Sequence, residues 1–417
     1  MSRRLTLYFL SIVFACVASI ALTTSSPSSA AGDYKMLYSF QGEDEINDDD
    51  DDGSNAATGL IFDVTGNAYG TTVTGGVDNC GTVFELKRLG HGQWQEIVLY
   101  SFTCFNDGKN PHGGVAFDKA GNLVGTTVAG GSGGICSGDG CGVVFELSPT
   151  GEKVLYNFTG GNDGFGPGSP LTIDGAGDLF GMTPDGGAFS AGTIFELSLK
   201  NSNWHLHTIH AFTGRDDGAV GSLGPLFLDA AGKLYGVTEL GGRRSAGTAF
   251  RLVRGQSGVW NFTTLYTFKG QPDAGSPYGG LIPDAAGNLY GTTYYGGSAG
   301  LGAVYELSPG RNGWTEQILY NFLGGTDGSY PTTTLLFDAA HNLYGTTSTG
   351  GRPSCDCGTI FKLKPNPWTE SIVHDFGVMP DGSYPYYNLT PGPGGGLYGA
   401  TTYGGVDGFG AVFELAP

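Results

Sequence analysis

Basic side chains are scarce, with 20 Lys and Arg against 39 Asp and Glu, and charged residues of either sign make up only 14% of the 417. The resulting formal charge of -19 repels phosphate backbones and anionic membranes, so nucleic acid is not an expected partner. After residue 22 no apolar run is long enough to span a bilayer. Cys-x-x-Cys pairs and a His set at zinc spacing are missing too, which argues against a structural zinc site. What is abundant is Gly, 76 residues without a G-x-y period. That pattern excludes collagen and disfavours long helices, because Gly costs about 1 kcal/mol relative to Ala in a helix interior. An all-β chain is expected.

Arg3 and Arg4 precede an apolar stretch from Leu5 to Leu22, and Ser29-Ala30-Ala31 supplies the small residues that signal peptidase needs. Residues 1–31 therefore read as a signal peptide. A retained anchor is the alternative; a lipoprotein at Cys16 is disfavoured by bulky Phe14. Cleavage leaves 18 basic against 39 acidic side chains, a charge of -21. It implies a secreted, periplasmic or cell-surface protein with no transmembrane segment.

Beyond the leader the sequence repeats. Leu-Tyr-Gly or a close variant occurs at Ala68-Tyr69-Gly70, Leu123-Val124-Gly125, Leu179-Phe180-Gly181, Leu234-Tyr235-Gly236, Leu289-Tyr290-Gly291, Leu343-Tyr344-Gly345 and Leu397-Tyr398-Gly399, with glycines 54 to 56 residues apart. Seven units of 55 residues account for all 385 from Asp33 to Pro417, so 32–417 is expected to be one domain. Each unit reads as four short strands, rich in β-branched and aromatic residues and bounded by Gly, Asp and Asn. The fourth-strand ending (Leu99-Tyr100-Ser101-Phe102 and its copies) is missing after Leu415, yet an extra copy, Leu37-Tyr38-Ser39-Phe40, stands at the start. The first strand must then complete the last sheet, which is how a ring closes. A seven-bladed β-propeller of four-stranded antiparallel blades is predicted, and a monomer is expected.

The run Asp284-Ala285-Ala286-Gly287-Asn288-Leu289-Tyr290-Gly291-Thr292-Thr293, followed by Gly296-Gly297 and Val304-Tyr305-Glu306-Leu307, resembles the GloVer tandem-repeat family of bacterial exported proteins. The resemblance covers all seven units and implies an exported, β-propeller-like repeat protein. It supplies no catalytic residues. The turn alone is similar to those of NHL and gluconolactonase-type propellers.

Periodic residues read as scaffold. Trp94, Trp204, Trp260, Trp314 and Trp368 each fall six residues before the Tyr or His of the fourth-strand motif, as packing residues would. Asp63, Asp118, Asp174, Asp229, Asp284 and Asp338 open Gly-Asn-type turns, where the carboxylate can accept from backbone N–H groups two residues on. Gly130-Gly131-Ser132-Gly133-Gly134 and Gly296-Gly297-Ser298-Ala299-Gly300 mimic nucleophile elbows without the strand-to-helix context. His205, His207 and His210 sit on an outer strand, either solvated or weakly metal-binding. Six cysteines in an exported chain suggest disulfides, and the shared loops pair Cys80 with Cys104, Cys136 with Cys141 and Cys355 with Cys357.

Three features could carry function. Asp48, Asp50, Asp52 and Gly53 imitate the start of a calcium loop, but Gly59 stands where the bidentate Glu belongs, so Ca²⁺ is a possible ligand only through a partial site. No other cofactor is expected. Asp-Gly linkers recur at Asp107, Asp163, Asp217, Asp327 and Asp381, with Asp273 equivalent, and fix turns or meet cations and sugar hydroxyls. Finally, Tyr278, Tyr294, Tyr295, Tyr330, Tyr384, Tyr386, Tyr387 and Tyr403 crowd the loops of units five to seven; units one and two have none there. Rings beside hydrogen-bonding groups suit carbohydrate, although they could also merely cover neighbouring loops. The expected function is a binding module for polysaccharide or a cell-envelope protein. The alternative is a lyase or hydrolase with an acidic site at the channel mouth.

Overall fold

A computed structural model describes residues 34–42, 52–57, 59–136, 138–221 and 224–416. Residues 1–31, expected to be a signal peptide, and Asp48 and Asp50 lie outside the described residues. Seven antiparallel blades succeed one another around an axis, and no α-helix occurs among the described residues. Blade one is typical. From axis to rim it runs Gly53–Ala56 with Ile61–Phe62, then Ala68–Gly75, Thr82–Gly90 and Gln93–Ser101. Blade seven contains Leu397–Thr401 and Ala411–Leu415, and its outermost strand is Tyr34–Ser39 from the other end of the chain. Tyr34 lies opposite Leu415 and Ser39 opposite Ala411. The ring closes as the orphan motif predicts.

The repeat motifs are the parts of one junction copied seven times. The fourth-strand Phe of each blade is fully buried and meets the third-strand aromatic of the next: Phe40 on Phe84, Phe102 on Phe145, Phe158 on Phe195, and so on to Phe376 on Phe413, with centroids 4.9 to 5.7 Å apart. Gly of Leu-Tyr-Gly is required because that aromatic lies across it: a Cβ on Gly70 would sit 2.7 Å from Phe84 Cζ. Of the Thr pair that follows, Thr71 donates to the Pro111 carbonyl of the next blade at 2.7 Å, and Thr72 shares a 2.9 Å bond with Thr82 of its own. Tryptophans pack between blades, Trp94 against Tyr398 and Trp260 against Phe180.

The Asp-Gly-Asn turns follow the sequence reading. Asp63 accepts from Thr65 N, Asn67 N and Tyr69 Oη at 2.8, 3.0 and 3.2 Å. Burial opposes ionisation of Asp63, but the bonds from Thr65, Asn67 and Tyr69 outweigh it and hold the carboxyl below its usual value. All three cysteine pairs form disulfides, with Cα–Cα separations of 5.4, 5.4 and 5.2 Å.

Candidate functional site

One face of the ring carries both the linkers between blades and the loops joining second to third strands. The two are tied together in every blade, since the second Gly of each Gly-Gly loop donates its N–H to a linker carbonyl: Gly76 to Asp52, Gly187 to Gly161, Gly297 to Asp273, Gly405 to Asp381. Within the linker the Asp of Asp-Gly is a fastener. Asp107 accepts from Tyr100 Oη, Thr103 N and Thr103 Oγ1 at 2.9, 2.8 and 2.6 Å. Asp163 repeats this with Tyr156 and Thr159, Asp327 with Tyr320 and Leu323 N. In two junctions His replaces Tyr: His210 reaches Asp217 at 3.1 Å and His374 reaches Asp381 at 3.3 Å. Those imidazoles lie flat on aromatics of the next outer strand, Phe262 and Tyr34, at 3.9 and 3.7 Å. His210 is thus a linker residue, and the trio with His205 and His207 does not converge.

This arrangement changes the reading of two acidic features. Asp52 is the seventh linker aspartate. Its carboxylate accepts from Tyr38 Oη, Gln41 N and Gly53 N at 2.9, 2.9 and 2.7 Å, so it fastens a turn as the other linker aspartates do. The acidic run is an insertion between Tyr38 and Asp52. Asp273 departs the other way: Tyr266 Oη donates to Glu316 at 2.9 Å, and Asp273 pairs with Lys269 at 3.2 Å. Among the described residues no group of three or more His, Cys, Asp or Glu side chains is placed to hold a metal ion.

The tyrosines do come together. Tyr294 stacks on Tyr330 with centroids 4.8 Å apart, Tyr295 stands edge-on to Tyr294 at 4.7 Å, and Tyr278 lies 5.9 Å from Tyr294. Tyr384 stacks on Tyr386 at 6.1 Å and meets Tyr403 edge-on at 5.9 Å. Tyr278 of the first group and Tyr386 of the second line one cavity at the axis. Tyr295 and Tyr403 remain 51% and 48% exposed.

Two of these rings sit on unusual backbone. The third residue after the linker Asp is left-handed in blade after blade, as Asn55, Asn110, Gly166 and Ser276, all types that tolerate it. In blades six and seven the same position holds Tyr330 and Tyr384, each at φ 56°. A bulky residue there costs about 1–3 kcal/mol, and such strain tends to mark functional surface.

Where the inner strands meet the axis, a cavity of about 190 Å³ opens. His112, Tyr278, Thr332, Tyr386, Tyr387 and Asn388 line it, and Gly59, Gly168 and Gly224 leave other parts of its wall to backbone. Tyr387 Oη lies 3.4 Å from His112 Nδ1, and burial lowers the His112 pKa, which keeps the ring neutral near pH 7. Two larger depressions are open grooves between outer strands, around Glu370 and around Glu96. His112 and Glu239, whose pKa burial raises and which acts on Tyr278, were not singled out in the sequence. Their signal was departure from the repeat: His112 aligns with Ala57, Gly168, Thr332 and Tyr386, and Glu239 with Val73, Pro184 and Ser348.

A family model described as the Gloeobacter/Verrucomicrobia repeat matches residues 97–259 and 224–417. No curated protein matches the sequence. Among solved structures, the chain is similar to a fungal alcohol oxidase of the AA5 family in complex with copper, at TM-score 0.53 and 13% identity over 93% of this chain and 77% of that one. It is also similar to oligogalacturonate lyase from Vibrio parahaemolyticus, at TM-score 0.51 and 10% identity over 92% and 98%. The extracellular domain of a hybrid two-component system from B. thetaiotaomicron gives TM-score 0.52 and 11% identity over 93% of this chain, which spans only 41% of that one. At such identities the likeness is one of fold.

Proposed function

The chain belongs to the Gloeobacter/Verrucomicrobia repeat family, and we propose that it is an exported binding module that holds carbohydrate on the linker face. One observation carries this reading: the tyrosines that break the repeat in blades five to seven gather into two ring groups beside one axial cavity, two of them held on left-handed backbone that blades one, two, three and five give to Asn, Gly or Ser. Rings that only covered loops would not need those positions. Phenol faces stack on the C–H faces of sugars, and the hydroxyls around the axial cavity meet theirs. The linker carboxylates are already engaged within their own turns, so rings carry the contact.

A lyase or hydrolase is the second reading, favoured by His112 of blade two and Tyr387 of blade seven, which meet at the axis as an acid–base pair. A glycan array run with and without Ca²⁺ tests the first. Retention of one or more neutral polysaccharides is expected, and the double variant Tyr330→Asn, Tyr384→Asn should lose it while melting at the same temperature or higher, since Asn accepts the left-handed backbone. An array with no retention in either condition would remove the carbohydrate proposal. New reducing ends appearing in a retained glycan would favour the enzyme.

A further inference from the structure

The axial cavity differs from the tyrosine patch in size, shape and charge, and these differences restrict what could enter it. At about 190 Å³ it is smaller than the roughly 300 Å³ at which pockets for drug-sized ligands begin, so it has room for one ring and not for a length of chain. It lies on the axis, and glycines leave part of its wall to backbone. A Cβ on Gly59 would come within 2.9 Å of the Asn388 carbonyl oxygen, and one on Gly224 would strike the Gly280 amide nitrogen. The rest of the wall offers aromatic faces and hydroxyls from Tyr278, Tyr386 and Tyr387, with Thr332 and His112.

Charge is the deciding property. None of the described lining residues is Lys, Arg, Asp or Glu. A carboxylate, sulfate or phosphate entering here would surrender its hydration with no cation among the described lining residues to meet it, which is costly. A neutral polyol instead finds the phenol and imidazole groups able to donate and accept, and an aromatic face for its C–H edge.

On the reading that the linker face binds carbohydrate, we propose that the axial cavity takes the terminal ring of a neutral glycan end-on and discriminates against uronic and sulfated sugars, while the tyrosine patch holds the rings that follow. The motivating observation is that His112, Tyr278, Tyr386 and Tyr387, all departures from the repeat, meet in a one-ring space without charged lining.

Binding of matched neutral and uronic oligosaccharides of the same linkage by titration calorimetry tests this. The full-length mature chain should bind the neutral member at least tenfold more tightly. Tyr387→Phe, which keeps the ring and removes only the hydroxyl, and His112→Leu should each weaken that binding about tenfold, and neutral chains whose terminal ring is blocked at both ends by bulky tags should bind no better than these variants. Equal or tighter binding of the uronic member by wild type would overturn the proposal, as would unchanged affinity in Tyr387→Phe and His112→Leu, with the tyrosine patch still standing as a carbohydrate surface. If wild type bound no glycan of either class, the broader reading would fail with it, and that result is distinguishable because it needs no variant.

Discussion

A chain shortened to begin at Gln41 is expected not to close its ring. It would lose the strand Tyr34–Ser39, which covers Ala411–Leu415, and with it Phe40, fully buried against Phe84, and the Tyr38 bond to Asp52. Truncating one buried Phe to Ala costs about 3–5 kcal/mol, and here a whole strand leaves as well, exposing the edge and apolar face of blade seven. Chemical denaturation followed by circular dichroism should show the cooperative transition broadened and moved to much lower denaturant. Adding a peptide of residues 34–41 should restore it in part. A shortened chain that unfolded at the full-length midpoint would mean that the last blade is complete without the first strand.

The second large effect concerns four outer-strand glutamates. Glu96, Glu152, Glu316 and Glu370 occupy the same position in blades one, two, five and six, four residues before the motif Tyr or His, and each has one carboxyl oxygen buried without a hydrogen-bond partner. Burial raises their pKa values, to about 8 for Glu96 and about 7 for the other three, and the linker aspartates Asp52, Asp107, Asp273 and Asp327 add to it. Because the folded pKa lies above the unfolded value of 4.5, the folded state keeps its full stability only below that value, loses it as pH rises above it, and levels off once the folded pKa of about 7–8 is passed. His112 and His210, lowered by burial, act in the opposite sense below about pH 6.5, so the clean window lies above it. The melting temperature should therefore fall between about pH 6.5 and 8.5. Replacing all four by Gln should flatten that slope and stabilise the protein at the alkaline end by about 2–4 kcal/mol, allowing for solvent screening. A wild-type midpoint that did not move across the window would show that the glutamates ionise freely.

The fold was legible because its junction is written seven times. A single Leu-Tyr-Gly-Thr-Thr stretch says little, but seven at constant spacing give blade number, strand number and, through the misplaced Leu37-Tyr38-Ser39-Phe40, the closure. The same periodicity exposed the tyrosines of blades five to seven as departures. It could not show that Tyr330 and Tyr384 sit on left-handed backbone, because neither position holds the Gly or Asn that signals a positive φ. The acidic insertion hid Asp52 by doubling its distance from Tyr38, so its place among the linker fasteners was not legible. His112 was missed for a different reason: it is one residue among glycines and prolines, and only the ring brings it opposite Tyr387, 275 positions away in the chain.

The claim that the linker face of blades five to seven is the binding surface is tested most directly by amide hydrogen exchange on the protein with and without a glycan it retains. Slower exchange is predicted at Ser329–Pro331, at Gly382–Ser383 and toward the Gly296 end of Leu289–Gly296, with no change in the outer hairpin ends near residues 90–93 and 200–203. Protection confined to those hairpin ends, or to the Asp63 and Asp118 turns, would place the ligand elsewhere and contradict the account.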